Sequence, residues 1–146
     1  APSQDPLFYS SFIENKNVFF VENATYDLLS MSHAALVTSG TATLETALFK
    51  VPEVVCYKTS WISYEIGKRL VKLKYISLVN LILDKEVVTE LIQASFNSKR
   101  LTKELSSILN GGKREEQFVA YHELEAKLGG PGASQKVAEL IYNSIN

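Results

Sequence analysis

The stretch from Ala34 to Tyr57, AALVTSGTATLETALFKVPEVVCY, most narrows what this chain can fold into. Residues 34–38 are a short apolar run ending in turn residues, the pattern of a buried strand. Ser39-Gly40-Thr41 breaks the run, and Leu44, Ala47 and Leu48 then recur at i, i+3, i+4 as on one helix face. Pro52 cannot continue a helix, and residues 53–57 (EVVCY) are another buried strand. Strands joined through a helix over so few residues run parallel, because the crossover returns the chain to the same end of the sheet. Upstream, residues 17–22 (NVFFVE) read as one more strand. Turn and cap residues Asn23 and Thr25 follow, then a short helix through Tyr26, Leu28, Leu29 and Met31. The alternation of strand and helix predicts an open α/β fold with a parallel sheet and right-handed crossovers.

Downstream, residues 61–72 have helical spacing in Ile62, Ile66 and Leu70, and residues 76–83 are apolar apart from Ser77 and Asn80. From Glu86 onward every pattern predicts helix. Val87, Val88, Leu91 and Ile92 mark one, and Leu101, Leu105, Ile108 and Leu109 a second, stopped at Gly111-Gly112. Phe118, Tyr121, His122 and Leu128 mark a third, and Val137, Leu140 and Ile141 the last. The expected organisation is an α/β domain over residues 1–110 and a helical C-terminal extension over 111–146, with no internal repeat.

Composition then excludes several classes. With 146 residues, 46% of them hydrophobic, and a net charge of −1, the chain can bury a core, so disorder is excluded. A near-neutral balance also argues against a general nucleic-acid binder, which needs excess Lys and Arg. No apolar run approaches the roughly 18 residues of a membrane span. The opening APSQDPLFYS has no signal-peptide character, and the lone Cys56 fits a reducing cytoplasm. A start at Ala1, in a loop-like segment leading straight into a domain, predicts an excised piece whose first strand lies upstream.

Chemistry concentrates where the strand of residues 34–38 ends. Ser39, Gly40, Thr41, Ala42 and Thr43 form a turn of small and hydroxyl residues opening a helix. Backbone N–H groups at such a start lack partners, and the helix dipole places about half a positive charge there. That is an anion site of the kind that holds a pyrophosphate, at the end of the strand where open α/β sheets bind ligands. Glu45, one turn in, can accept from two vicinal ribose hydroxyls. The same residues also read as a plain helix start, with Glu45 complementing the dipole. Asn80, an amide among apolar residues, either hydrogen-bonds a sugar or phosphate or closes a backbone turn. Residues 58–74 gather Lys58, Lys68, Arg69, Lys72 and Lys74 against the single acid Glu65. They read as a solvated helix face, as attraction for an anionic ligand, or, with Tyr57 and Trp61 beside them, as contact with an anionic membrane surface. His33 and His122 have no metal-ligand spacing, and Cys56 within VVCY reads as a small buried hydrophobe. Asn23-Ala24-Thr25 is a chance sequon.

Taken in order, Thr38-SGTATLETAL-Phe49, Pro52-EVVCYK-Thr59, Gly67-KRLVKLKYISLVNLIL-Asp84 and Glu86-VVTELIQ-Ala94 resemble the C-terminal half of the bacterial lipid-A-disaccharide synthase family. The resemblance covers most of residues 17–110, and the helical tail resembles the family more loosely. The Ser-Gly-Thr-Ala-x-Leu-Glu block is shared in outline by many nucleotide-sugar glycosyltransferases of the GT-B fold, whereas the KYISLxNLI block is far more specific.

The resemblance implies a two-domain GT-B enzyme of which this chain carries most of the second, Rossmann-like domain, with helices on both faces of its sheet. It implies transfer of 2,3-diacylglucosamine from its UDP conjugate to 2,3-diacylglucosamine 1-phosphate, with inversion, without a metal or other cofactor, in lipid A biosynthesis. It places Ser39, Gly40, Thr41 and Thr43 at the phosphates, Glu45 at the ribose, and Asn80 at an amide important to the family. Val79 departs from the proline that many members carry before that amide, which bears on how Asn80 is presented. No residue here reads as the general base, which the resemblance assigns to an N-terminal acceptor domain. The expected partners are the UDP-diacylglucosamine donor, that acceptor domain, an anionic inner-membrane surface touched from the cytoplasm, and a second copy in a homodimer. Two other readings stay open, a UDP-sugar 2-epimerase-like half and a non-catalytic nucleotide-binding or dimerisation module. The block after Lys58 does not look like the epimerases.

Overall fold

In the computed structural model, residues 5–38, 40–61, 64–65, 74–130 and 132–145 are described. They form two units, one ending at Met31 and one beginning at Ser32.

The first unit holds helix α1 (Pro6–Ser10) and helix α2 (Thr25–Met31). Asp5 caps α1, its carboxylate accepting the Leu7 N–H at 2.8 Å. Tyr9 stacks on Phe20 at 4.9 Å, and Phe8 meets Phe12 edge-on at 5.2 Å. The strand expected over residues 17–22 is not formed. A strand is held by a ladder to a neighbour, and no described residue provides one. The Asn15 side chain instead accepts the Asn17 N–H at 2.9 Å, and its carbonyl the Val18 N–H at 3.0 Å. Val18 and Phe19 are left exposed.

The second unit runs β1 (Ala35–Val37), α3 (Thr41–Leu48), β2 (Glu53–Tyr57), α4 (Leu78–Leu83), β3 (Thr89–Ile92), α5 (Ser98–Asn110), α6 (Gly112–Leu128) and α7 (Ala133–Ile145). A 3-10 turn at Gln93–Ser95 follows β3. The sheet is parallel throughout, in the order β1-β2-β3. Leu36 stands beside Val54 in the register, and Cys56 beside Leu91. This is the open parallel α/β architecture that the alternation of strand and helix predicts.

Its third strand is not the expected one. Residues 89–92, read above as helix, form β3 on the far side of β2. Their hydrophobic spacing serves both structures, because a strand buried on both faces shows no strict alternation. Val88 faces one layer with Ala47, Val55, Val79, Tyr121 and Leu124, which brings α3, α4 and α6 onto that side. Leu91 faces the other with Val54 and Ile108, under α5. Full burial of each such side chain contributes about 1.5–3 kcal/mol. Helices therefore cover both faces of the sheet.

Polar side chains fix α6 across the start of β2. Gln117 Oε1 accepts the Glu53 N–H at 2.9 Å, and Gln117 Nε2 donates to the Glu53 carbonyl at 3.0 Å. Tyr121 Oη donates to the same Gln117 oxygen at 3.0 Å. The Glu53 carboxyl is buried in this layer, and neither oxygen has a hydrogen-bond partner among the described residues. Burial holds its pKa well above the carboxylate range. On the opposite face, Lys113 of α6 pairs with buried Glu104 of α5 and donates to Thr89 Oγ1 at 3.1 Å. Lys113 holds the Glu104 carboxyl below its ordinary pKa. No residue of α7 is buried, and Leu140, Tyr142 and Ile145 are exposed.

Candidate functional site

Beyond the end of β1 the chain turns at Gly40, with φ 110° and ψ −155°, and enters α3. That backbone is open essentially to glycine alone. Gly40 is the N-cap, and among the described residues no side chain caps the helix. Thr41 and Ala42 are exposed at its first turn, and Glu45 is half-buried one turn on. An uncapped helix start facing outward past the carboxyl end of a parallel strand attracts anions through its free N–H groups and dipole.

Thr43 is differently placed. It is fully buried, its hydroxyl donating to the Gly40 carbonyl at 2.8 Å and accepting the Leu78 N–H at 3.3 Å. It joins α3 to α4 behind the turn. Asn80 is also fully buried. Its Oδ1 accepts the N–H groups of Val87 (2.7 Å) and Val88 (3.0 Å). Its Nδ2 donates to the Val88 carbonyl at 2.8 Å and to Glu90 Oε1 at 3.0 Å. Both amide atoms are thereby used within the protein, closing the connection from α4 to β3. Val79 lies within α4 and is buried.

The structure therefore brings Gly40, Thr41, Ala42, Thr43 and Glu45 together, with Asn80 one bonded step behind through α4. Tyr57 ends β2, half-buried and beside Ile92 in the register, while Lys58 is exposed and Trp61 is 73% exposed. Ser39, Lys68 and Arg69, together with most of the helix expected over residues 61–72, lie outside the described residues. Among the described residues no cluster of His, Cys, Asp and Glu could hold a metal. None of their helices is long and apolar enough to cross a membrane.

Two residues at this edge escaped the sequence reading. Glu90, on β3, accepts backbone and side-chain donors from residues 76–80. Gln93 has a left-handed backbone, φ 51°. Its side chain accepts the Thr59 N–H and donates to the Thr59 carbonyl, each at 3.1 Å. The available signal was an acid and an amide inside an apolar VVTELIQ run, positions where a polar group needs a partner.

A parallel sheet with helices on both faces defines the class, an open α/β domain of the Rossmann-like type. The family model described as lipid-A-disaccharide synthetase matches residues 8–142, and the chain belongs to that family. The lipid-A-disaccharide synthase of Syntrophus aciditrophicus (strain SB) is 43% identical over 88% of this chain. That of Anaeromyxobacter sp. (strain K) is 42% identical over 85%, and that of Myxococcus xanthus (strain DK1622) is 35% identical over 99%. These alignments cover 34%, 33% and 39% of the respective relatives, so the chain spans between a third and two fifths of their length.

Proposed function

We propose that this chain is the donor-binding half of a GT-B glycosyltransferase, a lipid-A-disaccharide synthase. Such an enzyme moves 2,3-diacylglucosamine from UDP to 2,3-diacylglucosamine 1-phosphate with inversion. The observation that carries the reading is the uncapped start of α3 at Gly40, in a chain of this family. Departure of UDP builds negative charge on the pyrophosphate. Preorganised N–H donors at a helix start stabilise that charge without a metal. In this reading Ser39, Gly40, Thr41 and Ala42 receive the phosphates, and Glu45 accepts the ribose hydroxyls. Thr43 and Asn80 serve the site by holding its turns. The acceptor hydroxyl needs a positioned base, which this reading assigns to a partner domain. The chain alone therefore binds donor without transferring sugar.

Titration of the chain with UDP, followed by amide NMR, tests this. Shifts are expected to concentrate at Gly40, Thr41 and Glu45. Shifts confined to residues 113–145, or sugar transfer by the chain alone, would sink it.

Acyl chains reside in a membrane, so we further propose that Trp61 and the basic segment after Lys58 touch an anionic surface from the cytoplasmic side. Each Lys or Arg near such a surface contributes about 1 kcal/mol, so binding is expected to weaken sharply with salt. Sedimentation with anionic vesicles should show less binding for Trp61→Ala than for the parent. Equal binding assigns the segment to other work.

A further inference from the structure

Two helix starts lie side by side at the sheet edge, and the protein treats them differently. Gly40 and Ser77 form an isolated parallel bridge, so α3 and α4 begin next to one another. At α4 the Glu90 carboxylate accepts the N–H of Ile76 (3.0 and 3.1 Å), the N–H of Ser77 (3.0 Å), Ser77 Oγ (2.9 Å) and Asn80 Nδ2 (3.0 Å). Ser77 Oγ in turn accepts the Asn80 N–H at 3.3 Å as the helix cap. A carboxylate of the protein thus holds the donors of the Ser77 turn, with charge-assisted bonds that are stronger than neutral ones. At α3 no side chain among the described residues provides a cap. The two starts are linked by the Leu78 N–H on Thr43 Oγ1 and by Thr43 Oγ1 on the Gly40 carbonyl. Any shift of the Ser77 turn therefore reaches Gly40 in two bonds.

Resting on the donor-binding reading, we propose that Glu90 is a positioning residue for the nucleotide. By seating the Ser77 turn it sets the Gly40–Thr41 start that receives the pyrophosphate. Glu90 does not touch the ligand; it acts through Ser77, Leu78 and Thr43.

The test compares the parent chain with Glu90→Gln, which loses the charge, and Glu90→Asp, which keeps it. Amide hydrogen exchange without ligand comes first. Loss of a charge-assisted acceptor is expected to speed exchange about tenfold at Ile76, Ser77 and Leu78 and, by relay, at Thr43, with Val55 and Leu91 unchanged. UDP affinity is then expected to fall about tenfold and uridine affinity distinctly less. The phosphate contacts lie at the Gly40–Thr41 turn itself, while Glu45, which meets the ribose, lies further along α3. Glu90→Asp recovers part of both effects. Unchanged exchange at Thr43, equal acceleration at Thr43, Val55 and Leu91, or equal losses of UDP and uridine overturn the proposal. Should Glu90→Gln fail to fold, Ser77→Ala removes one donor, keeps the carboxylate and carries the same comparison. A parent chain that binds neither UDP nor uridine defeats the donor-binding reading, and the Thr43 exchange still decides what Glu90 does.

Discussion

Replacing Glu53 with Met is expected to stabilise the protein by about 2–3 kcal/mol at pH 7, because a buried carboxyl without partners is replaced by an apolar chain of similar length. The Glu53 carboxyl lies in the layer of Val55, Tyr121 and Leu124, with both oxygens buried and unpaired among the described residues. The titratable group facing it there is the Tyr121 phenol, whose pKa is raised first by burial and then by Glu53 itself. That hydroxyl donates to Gln117, not to the carboxyl. Burial therefore keeps Glu53 protonated well above the ordinary carboxylate pKa. Above that ordinary value the unfolded chain releases its proton and the folded chain keeps it. The unfolded state then binds fewer protons, and stability falls as pH rises, by roughly 1 kcal/mol per pH unit until the folded carboxyl ionises. Urea midpoints from pH 5 to pH 8 should fall for the parent and stay nearly level for Glu53→Met. Parallel profiles for the two proteins would show that Glu53 is ionised and solvated in the fold.

Residues 53–57 also show how far sequence carries the fold. EVVCY forms β2 with the expected bounds, because Pro52 and the β-branched run leave few alternatives. The helices at residues 98–110 and 112–128 follow their apolar spacing and their glycines for the same reason. The two failures have one physical cause. Whether an apolar run becomes a strand depends on a ladder partner that stands elsewhere in the chain. Residues 89–92 find one in β2, despite spacing that also fits a helix. Residues 17–22 find none among the described residues, despite a composition rich in Val and Phe.

The candidate site divides in the same way. Gly40, Thr41 and Glu45 are local features, a strand end, a tight turn and a first helical turn, and a short window of sequence contains them all. The support beneath them is not local. Thr43 reads as a donor toward a ligand, yet its hydroxyl bonds both Gly40 and Leu78, the latter 35 positions beyond Thr43. Asn80 reads as a sugar contact or a turn residue, and in the structure its amide is spent on Val87, Val88 and Glu90. A carboxylate such as Glu90 carries no sign of its role until the fold brings residues 76–80 onto β3.

Gly40 is where these layers meet, and Gly40→Ala is expected to lower stability by about 1–3 kcal/mol and to abolish measurable UDP binding. At φ 110° and ψ −155° an alanine is strained whatever the space around it. Among the described residues space is not the problem, since a Cβ built at Gly40 meets none of their atoms within 4 Å. The stability cost is therefore assigned to backbone strain. The chain can relieve that strain only by rotating the turn, which moves the Thr41 and Ala42 N–H groups away from where a pyrophosphate would sit. Otherwise it keeps the turn and holds a methyl group in the open space before the helix start. Either course costs binding, and the two separate cleanly. Rotation should speed amide exchange at Thr43 and Leu78, whose bonds run through the Gly40 carbonyl and Thr43 Oγ1. A retained turn leaves that exchange unchanged while UDP binding is lost. Full UDP binding by a stable Gly40→Ala protein would move the nucleotide away from α3 altogether.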